Sequence, residues 1–177
     1  IVDWTDRGTC VLFGDGAGAV FLRGMPQDQA GGRGILSTHL HADGRHGDIL
    51  SVDGGAGSNG GTGVVRMTGR EVFRHAVAKL SSAVDEALAA NNLAQGDIAW
   101  LVPHQANLRI IEAMGRKLDL PLDRVVVTVD RHANTSAASI PLALAEATRD
   151  GRIRRDELVL MEAIGGGLTW GAALARF

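Results

Sequence analysis

The chain contains a single cysteine, Cys10, in 177 residues. One thiol cannot close an internal disulfide, which excludes a stapled secreted scaffold and points to a reducing, cytoplasmic setting. A basic excess is also missing: 18 lysines and arginines face 20 acidic residues, for a formal charge of -2. Binding to phosphates needs a clear cationic surplus, so no nucleic-acid partner is expected, and any polyanion must meet a local patch. No apolar run reaches the ~18 residues of a membrane span, and no basic stretch followed by an apolar one marks a signal peptide. A membrane partner is therefore not expected. Glycine is the opposite case, with 24 residues, nearly twice the ~7% norm and clustered, which marks tight turns.

The length suits one domain that buries roughly two thirds of the surface of its unfolded form. Because the chain opens on Ile1-Val2-Asp3-Trp4 and enters a strand-like run within ten residues, it is expected to be a piece of a longer polypeptide.

Apolar runs over 10–13 and 17–22 flank Gly14-Asp15-Gly16, predicting two neighbouring strands joined by a turn. A third strand is expected over 35–41, where apolar and polar residues alternate, and a glycine-rich flexible loop over 53–63. Thr68 with Glu71 forms a capping-box pattern, and Val72, Ala76, Leu80, Ala83, Val84, Ala87 and Leu88 then recur at helical spacing. Strands are expected over 98–102, 125–129, 158–162 and 168–177. Helices are expected over 107–118, with Ile110, Ile111 and Met114 inward, and over 139–150, with Pro141 in the first turn and Gly151 ending it. This order implies an α/β fold with a mixed, mostly parallel sheet and helices on both faces.

Two short polar signatures follow expected strands: Val102-Pro103-His104-Gln105-Ala106-Asn107 and Arg131-His132-Ala133-Asn134-Thr135-Ser136. His104 lies where a helix N-terminus disfavours an imidazolium, so a neutral ring is expected. Strand ends in a parallel sheet can aim His104 and Asn134 into one crevice, where two neutral donors stabilise an enolate or oxyanion on a thioester carbonyl. Gly165-Gly166-Gly167 adds backbone amides free of side chains. Taken singly, each feature is more often structural: a histidine bonded into the fold, an asparagine in a turn, a bulged hairpin.

Together these segments resemble a known family. Residues 102–110, 132–141 and 162–171, with 7–19 and 35–44, closely resemble the C-terminal half of β-ketoacyl-acyl carrier protein synthase III, which initiates bacterial fatty-acid synthesis. The resemblance implies a thiolase-like fold of two similar stacked halves, a homodimer, and no permanently bound cofactor or metal. It implies acetyl-CoA and malonyl-acyl carrier protein as substrates, presented as CoA and phosphopantetheine thioesters, and acetoacetyl-carrier protein as product. It further implies that His104 and Asn134 hold the malonyl thioester oxygen and that Gly166 supplies an oxyanion-hole amide. The carrier-protein approach falls on Gln105, Ala106, Asn107, Leu108 and Arg109, with Arg116, Lys117 and Arg74 nearby. The phosphopantetheine channel falls on Gly69, Phe73, Ala106 and Asn107.

One feature of the family is missing. Its nucleophilic cysteine, in an Ala-Cys setting atop a buried helix, belongs to an N-terminal half that this sequence does not contain. Cys10 sits in a strand pattern with no helix N-terminus to lower its pKa, and is expected to pack in the core. Two rival functions stand beside the initiating condensing enzyme. One is a thiolase-fold condensing enzyme of a specialised pathway using a CoA-linked extender; the other is a noncatalytic subunit that binds carrier protein. His39, His41, Asp43 and His46 suggest a metal cluster but read better as strand and loop. Gly14-Asp15-Gly16-Ala17-Gly18 lacks the following helix of a dinucleotide loop.

Overall fold

A computed structural model describes residues 1–55 and 61–177. In chain order its elements are α1 (Gln27–Ala30), β1 (Gly34–Ala42), β2 (Leu50–Val52), β3 (Val65–Met67), α2 (Gly69–Ala90), β4 (Trp100–Pro103), α3 (Leu108–Lys117), α4 (Val129–His132), α5 (Ser139–Arg149), β5 (Leu158–Gly165) and β6 (Thr169–Arg176). Four strands form the main sheet in the order β1-β6-β5-β4, and β2 pairs with β3 in a small hairpin. The expected loop over 53–63 lies partly outside the described residues.

The seven residues whose spacing predicts the long helix are the seven that α2 buries. All of them except Val72 pack with Ile110, Ile111 and Met114 of α3 against Leu158, Leu160 and Leu174 on one face of the sheet. On the other face Trp100, Val102 and Val159 pack against Ala143 and Ala147 of α5. Burying each large apolar side chain is worth roughly 1.5–3 kcal/mol, so both helix layers are fixed to the sheet by area alone. The sheet is mixed, with helices on both faces. Its balance differs from the parallel majority expected: only β4 and β5 run parallel, while β1/β6 and β5/β6 are antiparallel. The short Gly165–Thr169 connection allows no crossover, so β6 must return alongside β5.

Three other expectations are corrected. The Thr68–Glu71 capping box does not form, because the Thr68 N–H donates to the Ile49 carbonyl and the Glu71 carboxylate pairs with Arg74. The strand expected over 125–129 shrinks to a single bridge between Val125 and Leu101. The side chain of Gln105 takes the place of a strand partner: its Nε2 donates to the Val126 carbonyl, and its Oε1 accepts from the N–H groups of Thr128 and Val129.

The third correction concerns the first segment. Residues 10–13 form turns, with Phe13 alone bridging to Asn134, and 17–22 form no strand. Val20, Phe21 and Leu22 are exposed, with no strand beside them among the described residues. The glycines of 14–18 are not a hairpin turn. A Cβ at Gly14 would stand 2.6 Å from the His132 carbonyl oxygen, and one at Gly16 3.0 Å from Thr135 and Leu142. Alternate glycines thus let this extended stretch run against the 132–142 segment at backbone distance. Cys10 is half-buried in a turn rather than in a core strand.

Candidate active site

β4 is buried along its whole length, and the chain leaves it at His104, whose N–H donates to the Glu162 carbonyl of β5 at 2.7 Å. This bond extends the parallel pairing by one residue and fixes where the imidazole emerges. Nδ1 of His104 lies 2.6 Å from Oγ of Ser139, the first residue of α5. Burial pushes the imidazole down to about 4, so the ring is neutral at physiological pH. Desolvation of the cation is the cause, rather than the helix end invoked from the sequence.

Asn134 is held from the other direction. Its N–H donates to the Leu12 carbonyl at 2.8 Å, and its carbonyl accepts from the Gly14 N–H at 3.0 Å. Its Oδ1 accepts from the Ser136 N–H at 2.9 Å, which leaves the side-chain NH2 as the end free to donate. The flanking backbone is strained, with φ of 58° at Ala133 and 51° at Ser136, and such strain persists only where surroundings enforce it. The close-running segment 12–14 supplies that enforcement.

His104, Asn134 and Gly166 line one cleft of about 1100 Å³, together with Phe73, Ala106 and Asn107. Gly69, also assigned to the channel, lines it too and is exposed. A Cβ at Gly166 would meet the Leu50 carbonyl at 2.9 Å, so the glycine turn is backed by main chain. The cleft therefore brings together an imidazole, a carboxamide NH2 and a turn of bare backbone, the donors that a developing oxyanion needs.

The residues assigned to the carrier approach separate into two groups. Gln105 is fully buried and its amide is bonded to the main chain of 103, 126, 128 and 129, so it offers no docking surface. Ala106 is half-buried in the cleft, and Asn107 caps α3 by accepting from the Ile110 N–H at 3.1 Å. Leu108 and Arg109 are exposed, with the Arg109 guanidinium 5.1 Å from the Phe73 ring centre. Arg74, Arg116 and Lys117 each face a carboxylate of their own chain: Glu71 at 2.9 Å, Glu112 at 4.0 Å and Asp85 at 3.0 Å. Arg109 and Arg70 have no such partner among the described residues.

The histidine-rich stretch is not gathered around one point. His39 and His41 both reach Glu86 of α2, at 3.1 and 2.7 Å, Asp43 holds Arg45 and Lys79, and His46 packs on His75. Cys10 does not line the cleft. Two residues at the site lie inside the resembling segments 132–141 and 162–171, yet nothing in the sequence gives either a role of its own. Ser139 looks there like a helix start, although it lies in the same segment as Asn134. Glu162 looks like one residue of a strand; it is fully buried, neither carboxyl oxygen has a hydrogen-bond partner among the described residues, and burial pushes its acid up to about 8.

The family model "3-oxoacyl-[acyl-carrier-protein (ACP)] synthase III C terminal" matches residues 88–177, slightly more than half of the chain. The chain belongs to the 3-oxoacyl-[acyl-carrier-protein] synthase III family. A second model, "3-oxoacyl-[acyl-carrier-protein (ACP)] synthase III", matches residues 1–44. Among curated members of the family, the β-ketoacyl-[acyl-carrier-protein] synthase III of Acidiphilium cryptum is 69% identical, covering 100% of this chain and 55% of its own length. That of Granulibacter bethesdensis is 66% identical, covering 99% and 55%. The crystal structure of the synthase III from Aquifex aeolicus superposes with a TM-score of 0.86 at 40% identity, covering 99% of this chain and 54% of that one. The fold is thus the α/β, thiolase-like fold of these synthases, and the chain spans about half the length of the relatives it matches.

Proposed function

We propose that this chain carries the decarboxylating half of the active site of an initiating condensing enzyme, which joins acetyl-CoA to malonyl-acyl carrier protein. The observation that supports this most is the convergence of a neutral His104, the free NH2 of Asn134 and the Gly166 turn on one cleft. In this reading His104 and Asn134 donate to the malonyl thioester oxygen. The bond between the carboxylate carbon and the methylene carbon breaks, carbon dioxide leaves, and the electron pair becomes an enolate on that oxygen. The enolate carbon then attacks an acetyl thioester on a cysteine contributed from outside this chain. The tetrahedral oxyanion is held by the Gly166 amide, and it collapses with loss of the cysteine thiolate, which takes up a proton. The cysteine takes its acetyl group from acetyl-CoA with release of free CoA, so the products are acetoacetyl-carrier protein, CoA and carbon dioxide. CoA and phosphopantetheine thioesters are substrates, the setting is the cytoplasm, and the whole enzyme is a homodimer.

The carrier, an acidic protein, is steered to Arg109 and Arg70, beside the channel formed by Phe73, Ala106 and Asn107. The test is carbon dioxide release from malonyl-carrier protein incubated with the chain. Release is expected, and His104→Ala or Asn134→Ala should each slow it by roughly 100-fold or more, the usual loss for one oxyanion donor. Release that is indifferent to both substitutions would refute the reading. Acetyl transfer from acetyl-CoA onto this chain is not expected, since its one cysteine does not line the cleft.

A further inference from the structure

The environment of Ser139 determines more than where α5 begins. The residue is 2% exposed, and its Oγ accepts the N–H of Gln105 at 3.3 Å while lying 2.6 Å from Nδ1 of His104. A hydroxyl has one hydrogen to donate and two lone pairs to accept with. With Gln105 supplying one incoming hydrogen, the hydroxyl's own hydrogen needs an acceptor, and among the described residues Nδ1 of His104 is the one within reach.

We propose that Ser139 is a positioning residue that selects the tautomer of His104. Its hydroxyl donates to Nδ1, so the ring proton sits on Nε2, the nitrogen left to face the cleft. In the opposite tautomer Nδ1–H and the Gln105 N–H would both point at Oγ, and the buried hydroxyl hydrogen would have no acceptor. Leaving such a group unpaired disfavours that form by about 5- to 150-fold in population. The arrangement also ties the two cleft donors together. Ser139 lies five residues beyond Asn134 in the segment clamped by 12–14, so the element that aims the carboxamide also sets the proton on the imidazole.

The proposal rests on His104 acting as a hydrogen donor to the thioester oxygen, but the tautomer itself is read without any substrate. The side-chain ¹⁵N signals of His104, recorded above pH 6 where the ring is neutral, distinguish Nε2–H from Nδ1–H. The wild-type chain is expected to show Nε2–H as the predominant form. Ser139→Ala should bring the Nδ1–H form up to a readily measured share, with the backbone amide spectrum elsewhere unchanged, and Ser139→Thr, which keeps the hydroxyl, should restore the wild-type ratio. An Nδ1–H ring in the wild type, or an unchanged ratio in Ser139→Ala, overturns the proposal. Should Ser139→Ala fail to fold, the wild-type spectrum still decides. A wild-type Nε2–H ring combined with no carbon dioxide release would sink the proposed function while leaving the role of Ser139 intact.

Discussion

The His104 N–H donates to the carbonyl of Glu162, so the imidazole of the cleft hangs from a residue whose own carboxyl is buried with no partner among the described residues. Both side chains are shifted by burial, in opposite directions: the imidazole down to about 4 and the carboxyl up to about 8. Each favours its uncharged form.

Stability should therefore depend on pH in a way that separates the two. Glu162 holds its proton more tightly folded than unfolded, so its contribution is complete below its ordinary value of 4.5 and is lost as pH rises through about 8. His104 binds its proton less tightly folded, so its effect runs the other way, with stability falling as pH drops from 6.5 toward about 4. Where these windows overlap, between 4.5 and 6.5, the two oppose each other, and above pH 6.5 Glu162 acts alone. Urea unfolding should show a loss of roughly 2 kcal/mol between about pH 6.5 and about pH 8, which Glu162→Gln should abolish. An equal loss in that variant would assign the effect to another group.

The His104 ring should remain neutral well into the acid range. Its C–H proton signals, followed by NMR, are expected to titrate with a midpoint about 4. A midpoint at or above 6.5 would mean that the ring is hydrated rather than desolvated, and the neutral-donor chemistry would lose its basis.

Gln105 is expected to behave as a core residue despite its place in the polar signature. Its amide bonds the Pro103 and Val126 carbonyls and the N–H groups of Thr128 and Val129. Gln105→Ala leaves several of these groups buried and unpaired, each at about 1–3 kcal/mol, so a loss of at least about 3 kcal/mol should appear in chemical denaturation. Gln105→Glu, tested for carrier binding, should show no salt-dependent change of the kind seen for a surface charge.

Gly14→Ala should injure the site from a distance. The new Cβ would meet the His132 carbonyl oxygen at 2.6 Å, and main chain cannot step aside without moving Asn134. A stability loss of about 1–3 kcal/mol is expected, together with a fall in carbon dioxide release larger than that loss explains. Full activity in a folded variant would show that the 12–14 clamp is dispensable.

Among the cations assigned to the carrier approach, charge reversal should matter most where no carboxylate of the described residues pairs with them. Arg109→Glu should weaken carrier binding more at low salt than at high salt, whereas Arg116→Glu, at a position already facing Glu112, should do less. Binding titrations at two ionic strengths compare them. A salt-independent loss in Arg109→Glu would argue for a packing role against Phe73 instead.

Much of this was legible in the sequence where periodicity and burial coincide. The apolar spacing from Val72 to Leu88 names the buried face of α2, and His104 and Asn134 stand out by chemistry and by their places after apolar runs. The strands expected over 17–22 and 125–129 do not form, for one reason: an apolar β-prone run becomes a strand only beside a partner. Gln105 supplies side-chain bonds to the second run, and no strand lies beside the first among the described residues.

The sequence by itself determined the buried faces of α2 and α3, where the three long helices run and which two polar side chains stand out chemically, because those properties follow from local spacing and residue type. Only the tertiary structure decided that Gln105 is internal, that Gly14 and its neighbours lie against Asn134, and that Ser139 and Glu162 belong to the site. Each of these depends on contacts between segments far apart in the chain, and desolvation of a side chain is set by everything packed around it rather than by its neighbours in sequence.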